Sequence, residues 1–233
     1  MTRRYRLGSA VLVSFVMLAG AAGAQGAAGP VYRGRGNEPF WSLEIEDRTM
    51  TFTTADGSPM SVPTPRAEAV AGGRRYVATA GGQTVAATIL SRVCVDGMSG
   101  MPHPDTVAVV AGGREYRGCG GDPAALLQGA AWMVEDVNGT GVVAQPRMTL
   151  AFGPDGRVAG RAACNSYTGQ YALTGEGITI SKTATTRMAC APALMTEEGL
   201  FLDVLGNVVR FAIGQDGALI LHTRDRRTIT ARR

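Results

Sequence analysis

Histidine is scarce in this 233-residue chain: there are two, His103 and His222. A Ser-His-Asp or Cys-His arrangement therefore has at most two candidate bases. His103 is wedged between Pro102 and Pro104 and His222 falls late in a strand-like stretch, and neither position preorganises a base. No two cysteines lie close enough for the C-x₂₋₄-C spacing of a structural zinc site. Gly97-Met98-Ser99-Gly100-Met101 departs from a nucleophile elbow at its last position and lacks the strand-to-helix setting. Past the N-terminus no run approaches the roughly eighteen apolar residues of a spanning helix. Aromatics are few, and no basic stripe interleaves with them as on a nucleic-acid surface. The sequence thus predicts no catalytic residues, no cofactor and no nucleic-acid partner.

What is present begins with a leader. Arg3, Arg4 and Arg6 form a basic start, Ala10 to Ala22 is apolar or small, and Ala22-Gly23-Ala24 fits a cleavage signal. Residues 1–24 are expected to be a signal peptide, leaving an exported mature chain that does not span a membrane. No cysteine near the cleavage point supports a lipid anchor. Loss of the leader takes the basic count from 23 to 20 against 19 acidic side chains. The basic character of the precursor therefore does not argue for a polyanionic partner.

Cys94, Cys119, Cys164 and Cys190 fall two to each half. In an oxidising compartment an even number favours two disulfides. Of three formal pairings, Cys94–Cys119 and Cys164–Cys190 keep each bridge inside one candidate domain. Each would lower unfolded-chain entropy by roughly 3–4 kcal/mol.

Gly120-Gly121-Asp122-Pro123 is a strong breaker, which places a first β domain at 30–121, a linker at 122–130 and a second domain at 131–233. Period-two alternation marks strands at 41–46, 50–53, 75–79, 83–89, 106–110 and 114–117, separated by turns and glycine pairs. Downstream strands are expected at 132–137, 148–152, 157–161, 169–173, 178–181, 208–213, 218–222 and 228–231. One helix, from Pro192 to about Leu205, has Leu194, Phe201, Leu202 and Leu205 on one face, Pro192 at its first position and Gly206 as its stop. The fold class is mostly β: two small antiparallel barrel-like domains, the second with a single packed helix.

The second half carries Trp132, Asn138-Gly139, Asp155-Gly156, Cys164-Asn165, Tyr167, Gly169, Tyr171, Thr185-Thr186-Arg187-Met188-Ala189-Cys190, Glu198 and Phe201. This pattern resembles the META/HslJ-like domain of bacterial envelope proteins. Ala163 departs from it, standing where the family usually has Gly before Cys-Asn. The resemblance implies a cracked β-barrel with a helix, no established catalytic residues, and links to envelope stress, drug tolerance, motility or secretion. The first half, through Gly36-Asn37-Glu38-Pro39-Phe40-Trp41 and Cys94-Val95-Asp96-Gly97-Met98-Ser99-Gly100-Met101-Pro102 with Tyr116-Arg117-Gly118-Cys119-Gly120-Gly121, is similar to an uncharacterised family of exported bacterial proteins. No activity is implied by that similarity.

Two groups of residues could carry binding. Asn165, Tyr167, Tyr171 and Phe201 either satisfy turns and cap a barrel or rim a cleft between helix and sheet that takes an apolar chain or peptide. Met98, Met101 and His103 could bind a soft copper ion; otherwise the methionines fill the open end of a barrel and His103 is solvated. The expectation is a non-enzymatic protein of the periplasm or cell envelope that binds an envelope protein, lipid or peptide. Lysozyme-inhibitor-like and pilotin-like or chaperone-like roles are the alternatives.

Overall fold

The computed structural model describes residues 31–142, 147–175 and 177–233; the expected leader at 1–24 lies outside them. The first half contains β1 Tyr32–Asn37, β2 Phe40–Ile45, β3 Thr49–Thr54, β4 Met60–Pro63, β5 Glu68–Val70, β6 Gly73–Ala80, β7 Gln83–Leu90, β8 Cys94–Val95, β9 Pro102–His103, β10 Asp105–Ala111 and β11 Arg114–Gly120. Nine of these form one antiparallel sheet in the order β4-β3-β2-β1-β11-β10-β7-β6-β5, and β8 pairs with β9 apart from it. Alternation sends Trp41, Leu43, Ile45, Met50, Phe52, Val85, Ala87, Ile89, Val107 and Val109 to one face. The sheet curls around that face as a half-barrel. Full burial of a Leu or Ile there stabilises by about 1.5–3 kcal/mol. The hairpins β6–β7 and β10–β11 turn on Gly81-Gly82 and Gly112-Gly113, all four at positive φ, which two-residue primed turns require.

The interior strand β1 has a different logic. Its inward positions include Gly34 and Gly36, not large apolar residues. A Cβ on Gly36 would stand 2.2 Å from Trp41 Nε1 and 2.5 Å from the Arg117 carbonyl. The bare backbone makes room for the Trp41 indole, whose N–H donates to that carbonyl at 3.2 Å.

The second half contains α1 Ala124–Leu127, β12 Trp132–Val137, β13 Thr140–Gly141, β14 Thr149–Phe152, β15 Arg157–Arg161, β16 Ser166–Leu173, β17 Ile178–Ile180, β18 Ala184–Thr185, α2 Pro192–Gly206, β19 Val208–Ile213, β20 Leu219–Thr223 and β21 Thr228–Arg232. The main path runs β17-β16-β15-β14-β12-β21-β20-β19. Its two ends meet without pairing: a Cβ on Gly177 would lie 2.1 Å from the Val209 carbonyl. The result is a nearly closed barrel. α2 starts with Pro192 at its head, includes Gly206, and packs Phe201, Val204 and Leu205 into the core against β12 and β21. The two disulfides join Cys94 to Cys119 and Cys164 to Cys190. Ala163 is buried in this core and its φ is not positive, so the turn before Cys164 does not require glycine.

The connecting stretch packs into the second half, and one residue of the first half enters the second core. The stretch 122–130, expected as a linker, contains α1, and Leu127 is fully buried in the second core. Trp132 Nε1 donates to the Leu127 carbonyl at 2.9 Å, and the Arg233 guanidinium donates to the same carbonyl at 2.6 Å while lying 3.9 Å above the Trp132 ring. Met101, from the first half, is also buried in that second core, and β9 packs against β19.

Candidate functional site

A densely hydrogen-bonded surface lies where the β1–β2 hairpin meets the loop from Cys94 to Met101. Asp96 is the brace. Its Oδ1 accepts the Met98 N–H at 3.1 Å, the Ser99 N–H at 2.8 Å and the Ser99 hydroxyl at 2.7 Å. Its Oδ2 accepts the Asn37 amide at 3.0 Å, which ties loop to hairpin. Burial opposes ionisation of this carboxyl, yet the donors from Ser99, Asn37 and Met98 outweigh it and hold the pKa at about 2. The Cys94–Cys119 bridge fastens the loop to β11, and the Glu38–Pro39 bond at the hairpin tip is cis.

This bracing carries apolar side chains outward. Phe40 is 54% exposed, Val95 63% and Met98 74%. Phe40 and Met98 border grooves on both sides of the hairpin, together with Arg35, Asn37 and Asp96. Among the described residues Arg35 has no side-chain hydrogen bond or ion pair, while Arg117 in the same groove pairs with Glu115 at 2.8 Å on the exposed surface. Such a pair is worth about 0–1 kcal/mol and exchanges readily.

Residues proposed for a cleft in the second half sit in the interior. Tyr167 and Phe201 are buried with their rings in a T-shaped contact at 5.5 Å. The Tyr167 hydroxyl donates to the Thr149 carbonyl at 2.8 Å, and the Tyr171 hydroxyl donates to the Gly153 carbonyl at 2.9 Å while accepting from Gln128. Asn165 is enclosed by partners: its Oδ1 accepts the Met188 N–H at 2.7 Å and the Thr186 hydroxyl at 2.8 Å. Tyr167, Tyr171 and Phe201 pack into the barrel, while Asn165 also lines a shallow depression with Thr186, Met188, Met195 and Glu198.

The residue that holds Asn165 is Glu198. Its Oε2 accepts the N–H groups of Cys164 at 2.8 Å and Asn165 at 2.6 Å, and its Oε1 accepts the Asn165 amide at 2.8 Å. Burial again works against the charged form, and the donors of Asn165 and Cys164 draw the pKa below the usual glutamate value. The sequence carried a signal for this role: Leu194, Glu198, Phe201 and Leu205 follow helical spacing, so Glu198 falls on the apolar face.

The Met/His loop diverges. Met98 projects into solvent, Met101 is buried in the second core, and His103 is 3% exposed. His103 is thus not solvated, and its Nδ1 lies 3.0 Å from the Gly121 carbonyl. His222 on β20 has its pKa lowered by burial and then by Arg210. All four cysteines are paired.

With that geometry in place, comparison with known proteins adds one assignment. Residues 125–233 match the model of the META domain. A solved NMR structure of a protein from Burkholderia xenovorans is 24% identical and covers 47% of this chain and 86% of that one, with a TM-score of 0.39. A second NMR structure is 25% identical and covers 46% of this chain and 92% of the other, with a TM-score of 0.39. No curated protein matches the chain.

Proposed function

Proceeding from a C-terminal half that carries a META domain, we propose that the protein is an exported, non-catalytic binding protein of the bacterial envelope. Its recognition surface is the platform of the first half, and its partner is an extended segment of an envelope protein rich in apolar and acidic residues. One observation carries this reading: Val95 and Met98 on the loop, and Phe40 on the hairpin beside it, are held in water where four hydrogen bonds to Asp96 clamp the turn and tie it to the hairpin. Exposed apolar groups on a rigid support are a feature of interaction sites, and rigidity reduces the entropy lost on binding. The unpaired Arg35 and the exchangeable Arg117 beside them favour a carboxylate-bearing partner. Support for export comes from the leader-like N-terminus and the two disulfides.

Fluorescence anisotropy with two synthetic peptides, one alternating Leu and Asp and one alternating Leu and Lys, tests the proposal. The Leu/Asp peptide is expected to bind at least tenfold more tightly. Phe40→Ser with Met98→Ser should abolish binding, and Arg35→Glu should reverse the charge preference. Equal binding of the two peptides, or retention of binding in the double variant, would sink the platform as a recognition surface.

A further inference from the structure

The cysteine thiol and the methionine thioether are the side chains that peroxides oxidise most readily. All four cysteines are already closed into disulfides, so the thioethers are what such an oxidant meets. Their exposure divides them. Met50, Met101 and Met148 are buried and Met60 is half-buried. Met195, Met133 and Met188 are 40%, 44% and 52% exposed, and Met98 stands furthest into water at 74%.

Oxygen added to a buried thioether would place a polar atom without a partner inside a core, and the fold would suffer. Met98 is built the other way. The Asp96 carboxylate holds its turn through the N–H groups of Met98 and Ser99, the Ser99 hydroxyl and the Asn37 amide. None of these bonds uses the thioether. Oxidation at sulfur therefore leaves the support standing and changes only what it displays.

That change alters both determinants of the platform. A thioether is apolar and a weak acceptor, whereas a sulfoxide is polar and accepts hydrogen bonds well. The Arg35 guanidinium, unpaired among the described residues, lines both grooves that Met98 borders, and its donors are available to the new oxygen. Phe40 and Val95 beside them carry no sulfur. Met98 is thus the one exposed apolar group of the platform that a peroxide converts to a polar one.

We propose that Met98 is a reversible oxidation site that switches the platform off, an inference that rests on the platform being the binding surface. The sulfur lone pair attacks one oxygen of the peroxide and the O–O bond breaks, giving the sulfoxide and water from hydrogen peroxide. Sulfoxide reductases reverse the step with a dithiol, which returns the thioether and water and becomes a disulfide.

The whole protein is treated with limiting hydrogen peroxide, and its digested peptides are weighed at intervals. Met98 is expected to gain oxygen faster than any other described methionine, while Met50, Met101 and Met148 stay reduced and the thermal midpoint is unchanged. Affinity for the Leu/Asp peptide should fall about tenfold or more in step with the Met98 sulfoxide, the effect of losing one buried apolar side chain. It should return after treatment with both sulfoxide reductases, one for each epimer. Met188→Leu with Met195→Leu should leave the loss intact, and in Met98→Leu peroxide should no longer change the affinity, whatever its starting value. If Met98 reacts no faster than Met133, the modification site is overturned. If Met98 reacts first and the oxidised protein binds the peptide as tightly as the untreated one, the switch is overturned while the platform stands. If the untreated protein does not bind the peptide, the platform and the switch fall together, and the peptide map alone decides the modification site.

Discussion

Each half of the molecule contains a disulfide and a buried carboxylate that gathers backbone N–H groups beside or near a bridged cysteine, but the two carboxylates reach over different distances. Asp96 holds Met98 and Ser99, two and three residues ahead, and borrows only Asn37 from elsewhere. Glu198 reaches from α2 to Cys164 and Asn165, more than thirty residues back along the chain. The local clamp stiffens a turn without covering it, so Met98 remains in solvent. The distant clamp draws a helix onto a barrel, and Cys164 and Asn165 are sealed inside. A buried acid can therefore display a loop or close a core, depending on the sequence separation of its donors.

Four measurements would break or sharpen that contrast. Glu198→Ala removes the acceptor for three buried donors, each costing about 1–3 kcal/mol. A loss of about 3–5 kcal/mol and a fall of about 10 °C in Tm are expected by calorimetry. If the second half instead stays intact, α2 does not depend on this clamp. Asp96→Ala should cost less, about 1–3 kcal/mol, because its turn stays open to water. Hydrogen exchange should quicken at Met98 and Ser99 and remain slow through β12 to β21.

Acidification is a milder version of the same change. The Asp96 pKa is depressed in the folded protein, so its contribution is complete above the ordinary value of 3.8 and is lost as pH falls from there toward about 2. NMR across that window should show the Met98 and Ser99 amides following the Asp96 carboxyl. A midpoint at the ordinary aspartate value would show that the hydrogen bonds contribute nothing. The smallest effect is expected for Met98→Ser, within about 0.5 kcal/mol of the native stability, since the displayed side chain supports no core. A substantially larger loss in denaturant titration would mean that Met98 is structural and that the platform reading is mistaken.

Strands bounded by glycine pairs were legible in the sequence, since β6, β7, β10 and β11 combine alternating burial with turns that only glycine makes easily. The β-rich class, both disulfide pairings and α2 were legible for similarly local reasons. β1 was not, because its inward positions are glycines and the apolar mass filling that space comes from Trp41 on the next strand. α1 was hidden beside alanines, where two adjacent leucines give no period. The interior positions of Tyr167, Tyr171 and Phe201 depend on the closure of the barrel, a long-range outcome that local pattern does not encode. Glu198 stood on the apolar face of its helix, but a carboxylate there gains meaning only when its distant donors are known.

The burial of Met101 in the second core bears on how the gene can be cut. A chain trimmed to residues 125–233 would match the family boundary and yet lack the thioether that plugs its own interior, leaving a notch lined by core side chains. Such a fragment would invite a neighbour's side chain into the notch, so self-association after trimming would be a consequence of the cut and not a property of the native protein.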